Sequence, residues 1–157
     1  MRWTGDSSGT VYSACYTSWG KSTDVVTKTT IVSGTPQYDV YAPFASAVDG
    51  IANGGPVYVS ESSSSPQCII TLNNYTMVTS VNIVNVYPAW FVGISVYFGN
   101  STTYSSNILI FNIGSPSQSH FDFQKTLTTP VFGKYLIIVS SQTGQLGIDE
   151  IQIHGYN

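Results

Sequence analysis

The densest group of side chains able to hold a ligand is Asn85-Val86-Tyr87-Pro88-Ala89-Trp90-Phe91, three aromatic rings around a proline. Sugar rings stack their apolar C–H faces on Trp and Tyr, and a neighbouring amide can take the hydroxyls. Asn85, Tyr87, Trp90 and Phe91 therefore form a candidate binding platform. The competing reading makes Trp90 a cap on one end of the core. Asp49, Asp149 and Glu150 could supply the two carboxylates of a glycoside hydrolase. Other catalytic patterns are missing: there is no GxSxG or HExxH, and His120 and His154 stand far apart with no nucleophile beside them. Catalysis is not expected. Cys15 and Cys68 cannot make a zinc site alone and lie in no CxxC motif, so they are either a disulfide or two buried thiols. Asn74-Tyr75-Thr76 and Asn100-Ser101-Thr102 match the N-glycosylation pattern.

The elements that must position these residues read as strands. Across Pro66–Asn85, Cys68, Ile70 and Leu72 alternate with Gln67, Ile69 and Thr71, and Val78, Val81 and Ile83 follow. This pattern predicts two adjacent core strands joined by a turn on Asn73-Asn74. Asp24–Val32 is β-branched almost throughout and predicts an edge strand, with Lys28 discouraging further pairing. Residues 37–66 read as a long loop containing the short element Ala45–Gly50. A loop of that length is usually functional or held by something such as an ion. Val92–Phe98, Ile108–Ile113, Phe121–Gln124, Tyr135–Ser140 and Ile148–His154 supply further strands, and no window shows a 3.6-residue apolar period. The expectation is a single all-β domain, a sandwich or jelly roll, over residues 25–157. Residues 1–24, with Trp3 and Trp19, read as an extension packing on it or pairing with its edge.

Composition narrows the function classes. Charged residues are 8% of the chain, with Ser, Thr, Asn, Gly and Tyr taking their place, while an apolar share of 42% argues against disorder. The net charge is −3 and the five Lys and Arg are scattered, so no basic face exists to bind nucleic acid. No run approaches eighteen apolar residues. The surface resembles that of secreted β-modules, which favours an extracellular or cell-surface setting and a leader already removed.

Four segments carry a family likeness. Ala45-Ser46-Ala47-Val48-Asp49-Gly50, Pro66–Leu72, Val78–Ile83, and Gly133-Lys134-Tyr135-Leu136 together with Ile148–Gly155 resemble, in order and spacing, the galactose-binding-like discoidin superfamily. That superfamily includes discoidin, coagulation-factor C-type domains and the F-type lectins. The resemblance implies an eight-stranded jelly-roll sandwich whose loops at one end bind glycans or, in some members, lipid head groups. It also implies a structural calcium held by Asp49 and Glu150, with backbone carbonyls near Ser46, Ile51, Ser60 and Asp149. Calcium accepts six to eight oxygens and takes carbonyls readily. Ile148 and Ile151 cannot share one face of a regular strand, which predicts a bulge that re-aims Glu150. The likeness fails at two places. Gln67-Cys68 stands where aromatic residues are usual. The His and Arg-x-Asp pattern that grips fucose is replaced by Ser60-Glu61-Ser62-Ser63 and Asn85-Val86-Tyr87-Pro88.

Two functions from different classes follow. The first is a non-catalytic, lectin-like glycan-binding domain, for neutral sugars because the candidate loops hold no Arg or Lys. The second is a structural or adhesive protein of an extracellular surface or filament that assembles with its own copies. Membrane lipid is not expected as a partner, since no basic residues flank Trp90.

Overall fold

Two strands of nineteen residues each carry the architecture, β4 (Gln67–Asn85) and β7 (Asp122–Ser140). The computed structural model describes residues 22–52, 55–85, 87–115 and 122–157. The remaining strands are β1 (Thr23–Asp24), β2 (Ile31–Gly34), β3 (Tyr58–Val59), β5 (Ile94–Gly99), β6 (Ile108–Ile113) and β8 (Gly147–Tyr156). Among the described residues these eight strands make one antiparallel sheet in the order β1-β8-β4-β7-β5-β6, with β2 also pairing β4 and β3 also pairing β8. The sheet doubles over because β4 and β7 change partners halfway along. The first half of β4 pairs β2 and the second half pairs β8, while β7 stays alongside throughout. β7 in turn pairs β5 only through Tyr135–Ser140. The result is a sandwich of two layers that share two strands.

The all-β reading holds, but several boundaries do not. Asn73-Asn74 is no hairpin turn: the chain continues through it as one strand, and the four residues between Thr71 and Thr76 stand opposite Lys134 alone. That bulge is the corner at which β4 crosses between layers. Phe121–Gln124 and Tyr135–Ser140, expected as two strands, belong to the single strand β7, although Phe121 itself lies outside the described residues. Asp24–Val32 splits instead of forming one strand. A turn closed by Thr30 N–H donating to Thr27 O at 2.8 Å separates β1 from β2, and Lys28 sits in that turn. The long loop contains a 3₁₀ turn, Phe44–Val48, and the strand β3. Residues 1–21, including Trp3, Cys15 and Trp19, lie outside the described residues, while Thr23–Asp24 pair with Gly155 and His154 of β8.

The core lies between the layers. Ile70, Leu72, Val96, Phe98, Leu136 and Ile138 from one side meet Val78, Val81, Ile83, Ile151 and Ile153 from the other, all buried. Cys68 is a free thiol with no exposed surface, and burial pushes its pKa up, so it behaves as a small core hydrophobe. Tyr58 fills the side of the sandwich near the 3₁₀ turn. Its ring stacks on Phe44 at 5.0 Å and its hydroxyl donates to Thr35 O at 2.8 Å, which satisfies the one polar atom such a ring buries.

At the corner β7 passes close to the end of β5. A side-chain carbon on Gly133 would lie 2.6 Å from Gly99 O and 2.7 Å from Gly99 Cα, and backbone of a paired strand cannot yield as a flexible side chain can. Gly133→Ala should therefore cost about 1 to 3 kcal/mol through overpacking. A denaturant melt checks this; a variant as stable as the parent would show that the corner has slack.

Candidate functional site

The 3₁₀ turn Phe44–Val48 packs on β2, β3 and β8, with Ala47 and Val48 buried and Asp49 at its C-terminal end. Asp49 Oδ1 accepts the Ile51 N–H at 2.8 Å, closing a local turn that brings the chain through Gly50 at a φ of 80°. From there the Gly50 N–H donates to Glu150 Oε2 at 2.9 Å, although a hundred residues separate the two. Glu150 is presented by an irregularity in β8. Val84 pairs with Glu150 but Asn85 pairs with Ile148, so Asp149 is an extra residue and the expected bulge is present. Burial pushes the Glu150 carboxyl up to about 7. The Asp49 carboxylate acts in the same direction, and the N–H groups of Gly50 and Ile51 act against it.

This arrangement draws together Asp49, Gly50, Ile51 and Glu150. Ser46 is buried within the turn and Asp149 is buried at the bulge. The Ser60 hydroxyl donates to Glu61 O and accepts from Leu146 N–H, both at 2.9 Å. Among the described residues no group of three or more His, Cys, Asp and Glu gathers in one place. The donors of Asp49 and Glu150 are carboxylate oxygens, the atom type that a hard cation such as calcium takes. A carboxyl strained by burial beside a second carboxylate is the electrostatic situation that such a cation relieves.

A cleft of about 370 Å³ opens at the same end of the sandwich. One wall is the Tyr87–Trp90 segment, whose rings meet edge to face at 4.7 Å and 78°. The other is the loop of Tyr38, Asp39, Tyr41 and Ala42, with Val57, Val59 and Gln145 completing the lining. Local hydrogen bonds shape this loop. Tyr38 N–H donates to Val59 O at 2.8 Å, and Asp39 Oδ1 accepts the Tyr41 N–H at 2.8 Å, an Asx turn. Trp90 is seated by Gly147, where a side-chain carbon would come within 3.0 Å of the indole. Trp90 thus covers the start of β8 and lines the cleft as well.

Of the expected platform, Tyr87 and Trp90 stand at the cleft, and Asn85 and Phe91 do not. Asn85 is fully buried at the end of β4, and Phe91 has no exposed surface and belongs to the core. A strand end and a 3₁₀ turn alternate their side chains between core and solvent, so four neighbours could not all face a ligand. Tyr38, Asp39, Tyr41 and Gln145 were not legible as a site. The available signal was weak, two tyrosines in a loop with no apolar period. Asn74 and Asn100 are both exposed, the first at the β4 corner and the second just after β5.

The fold is the galactose-binding-like, discoidin-type sandwich. A fucolectin from the serum of striped bass (Morone saxatilis) superposes with a TM-score of 0.78 at 20% identity over 88% of this chain, which spans 50% of the fucolectin's own length. A fucose-binding module of Streptococcus pneumoniae matches over 86% of this chain and 99% of its own, with 18% identity and a TM-score of 0.72. The family 32 carbohydrate-binding module of NanJ from C. perfringens, solved with galactose, matches at 16% identity over 85% of this chain and 99% of its own, with a TM-score of 0.68. Identities this low establish a shared fold. No protein-family model matches the sequence, nor does any curated protein.

Two outcomes follow from the geometry. Because Glu150 is harder to ionise in the folded chain than in the unfolded one, its contribution is complete below its ordinary value of 4.5 and is lost as the pH rises towards about 7. Metal-free protein should thus lose on the order of 2 to 3 kcal/mol across that window, and Glu150→Gln should flatten the profile. Urea melts in chelator at several pH values measure it; an unchanged slope in the variant would assign the effect elsewhere. Gly147→Ala should displace Trp90, visible as a shift in tryptophan fluorescence.

Proposed function

We propose that this domain binds glycans without catalysis, outside the cell, in the cleft between the Tyr38–Ala42 loop and the Tyr87–Trp90 segment. The observation that carries the reading is the cleft itself. Four aromatic side chains and the polar Asp39 and Gln145 converge on one opening at the loop end of a rigid sandwich. Such a mixture suits a sugar, whose C–H faces pack on rings while its hydroxyls take the polar groups. The fold it shares with carbohydrate-binding proteins of bacteria and fish supports the same reading. Among the described residues, no His, Arg or Lys lines the cleft. Fucose held by a His and an Arg-x-Asp pattern is therefore not the proposed mode, and acidic sugars would find no cation.

Calcium is part of the proposal, as a brace. Asp49 and Glu150 would hold it with carbonyls from the 3₁₀ turn and the β8 bulge, and its charge would tie the long loop to the last strand. Glycans on the exposed Asn74 and Asn100 would lie clear of the cleft, because Asn74 sits at the corner and Asn100 beyond the far end of β5.

Self-association remains the second reading, and β6 favours it. It closes one side of the sheet order and carries no charge, with Ile108 59% and Leu109 46% exposed. Unblunted edges of this kind pair with neighbouring chains.

Titration of a glycan array followed by calorimetry tests the main reading. Trp90→Ala should weaken binding by about 1 to 3 kcal/mol, as removal of a stacked aromatic does elsewhere. Binding that survives the substitution intact would move the site away from the cleft. For the brace, calcium at a hundred times its dissociation constant should raise stability by about 2.7 kcal/mol. A melting curve indifferent to chelator would remove calcium from the account. Concentration-dependent oligomers in sedimentation without any glycan affinity would instead support the second reading.

A further inference from the structure

The lining of the cleft has a charge asymmetry that narrows the ligand. Among the nine described residues that line it, Asp39 is the only charged one, and it is anionic in type. Its Oδ1 accepts the Tyr41 N–H at 2.8 Å, which holds the carboxylate in the turn at the cleft. The same cleft is lined by Tyr38, Tyr41, Tyr87 and Trp90. The lysines among the described residues are all elsewhere. Lys28 is in the turn before β2, Lys125 pairs across from Val81 on β7, and Lys134 lies over the Tyr75 ring at the corner.

We propose that the cleft selects glycans bearing a free, protonated amine, such as deacetylated hexosamine units, over their N-acetylated counterparts. The proposal rests on the glycan reading above and adds the chemical class of the sugar. An ammonium group is attracted both by the faces of electron-rich rings and by a carboxylate, and a cleft built from several rings and one acid provides both together. Acetylation removes the charge and with it both attractions, leaving only the stacking that any sugar would enjoy. A carboxylated or sulfated sugar would meet Asp39 with no cation to offset it.

The experiment compares glucosamine and N-acetylglucosamine oligomers of matched length and linkage by calorimetry. Below the amine's pKa and at low salt, the deacetylated oligomer should bind about tenfold more tightly, the sum of a modest cation–π and an exposed ion-pair contribution. That ratio should shrink as salt rises and when the pH passes above the amine's pKa. Asp39→Asn keeps an oxygen to accept the Tyr41 N–H, so the loop retains its turn, and the ratio should fall by the ion-pair share, to about threefold, with the cation–π share remaining. The salt and pH series need no variant and stand even if the substituted loop misfolds. Equal affinity for the two oligomers, or a preference that ignores salt, overturns the amine selectivity and leaves glycan binding in place. Affinity for neither oligomer, nor for any neutral glycan on an array, overturns both.

Discussion

The ladder between β4 and β7 is the constraint on which the rest of this protein depends. Both strands run through both layers, so the sandwich is one folded ladder and not two sheets held together by side chains alone. Everything else hangs from one side or the other: β2 and β8 on β4, β5 and then β6 on β7, β1 and β3 on the outside of β8. Crossing between layers requires bulged residues on β4 and a close backbone passage at Gly133 and Gly99. A second passage of the same kind occurs where Gly155 meets Met77, at the other neighbour of β4. Glycine at these contacts is a matter of space, since any side-chain carbon would enter a neighbouring backbone.

Away from the corner, the opposite end of the sandwich is finished by hydroxyls. Ser65 Oγ donates to Ser140 O at 2.9 Å, Ser140 Oγ donates to Val92 O at 2.7 Å, and Ser60 Oγ links Glu61 and Leu146. Gln67 N–H donates to Thr35 Oγ1 at 2.9 Å on the adjoining edge. In a chain with so few charged residues, these short side chains satisfy loop backbone groups that would otherwise be buried without partners. They also hold the loops that shape the cleft, and a rigid scaffold under fixed loops is how a small sandwich presents a binding surface.

The carboxylate pair and the cleft share that end but differ in their physics. Glu150 is buried and energetically uneasy in its ionised form, whereas Asp39 stands at the surface with its turn already made. One carboxylate suits a role inside the fold and the other a role towards a ligand. The bulge at Asp149 makes this division possible, because it breaks the alternation of β8 while Ile148, Ile151 and Ile153 all remain in the core.

What the sequence determined by itself was the class of fold and the irregularity of its last strand. Two-residue alternation and the crowding of β-branched residues act locally, and the spacing of Ile148 and Ile151 already demanded a bulge. That Tyr87 and Trp90 stand together was legible too, as aromatics beside a proline. Only the tertiary structure decided that 72–75 is a corner and not a hairpin, because the partner opposite it, Lys134, comes from a distant part of the chain. It alone placed Asn85 and Phe91 inside, and it alone set Tyr38, Asp39 and Tyr41 across from Trp90. Local patterning tells which side chains avoid water; which segments face one another is set by pairing and packing between residues far apart in sequence, and a cleft consists of just such facings.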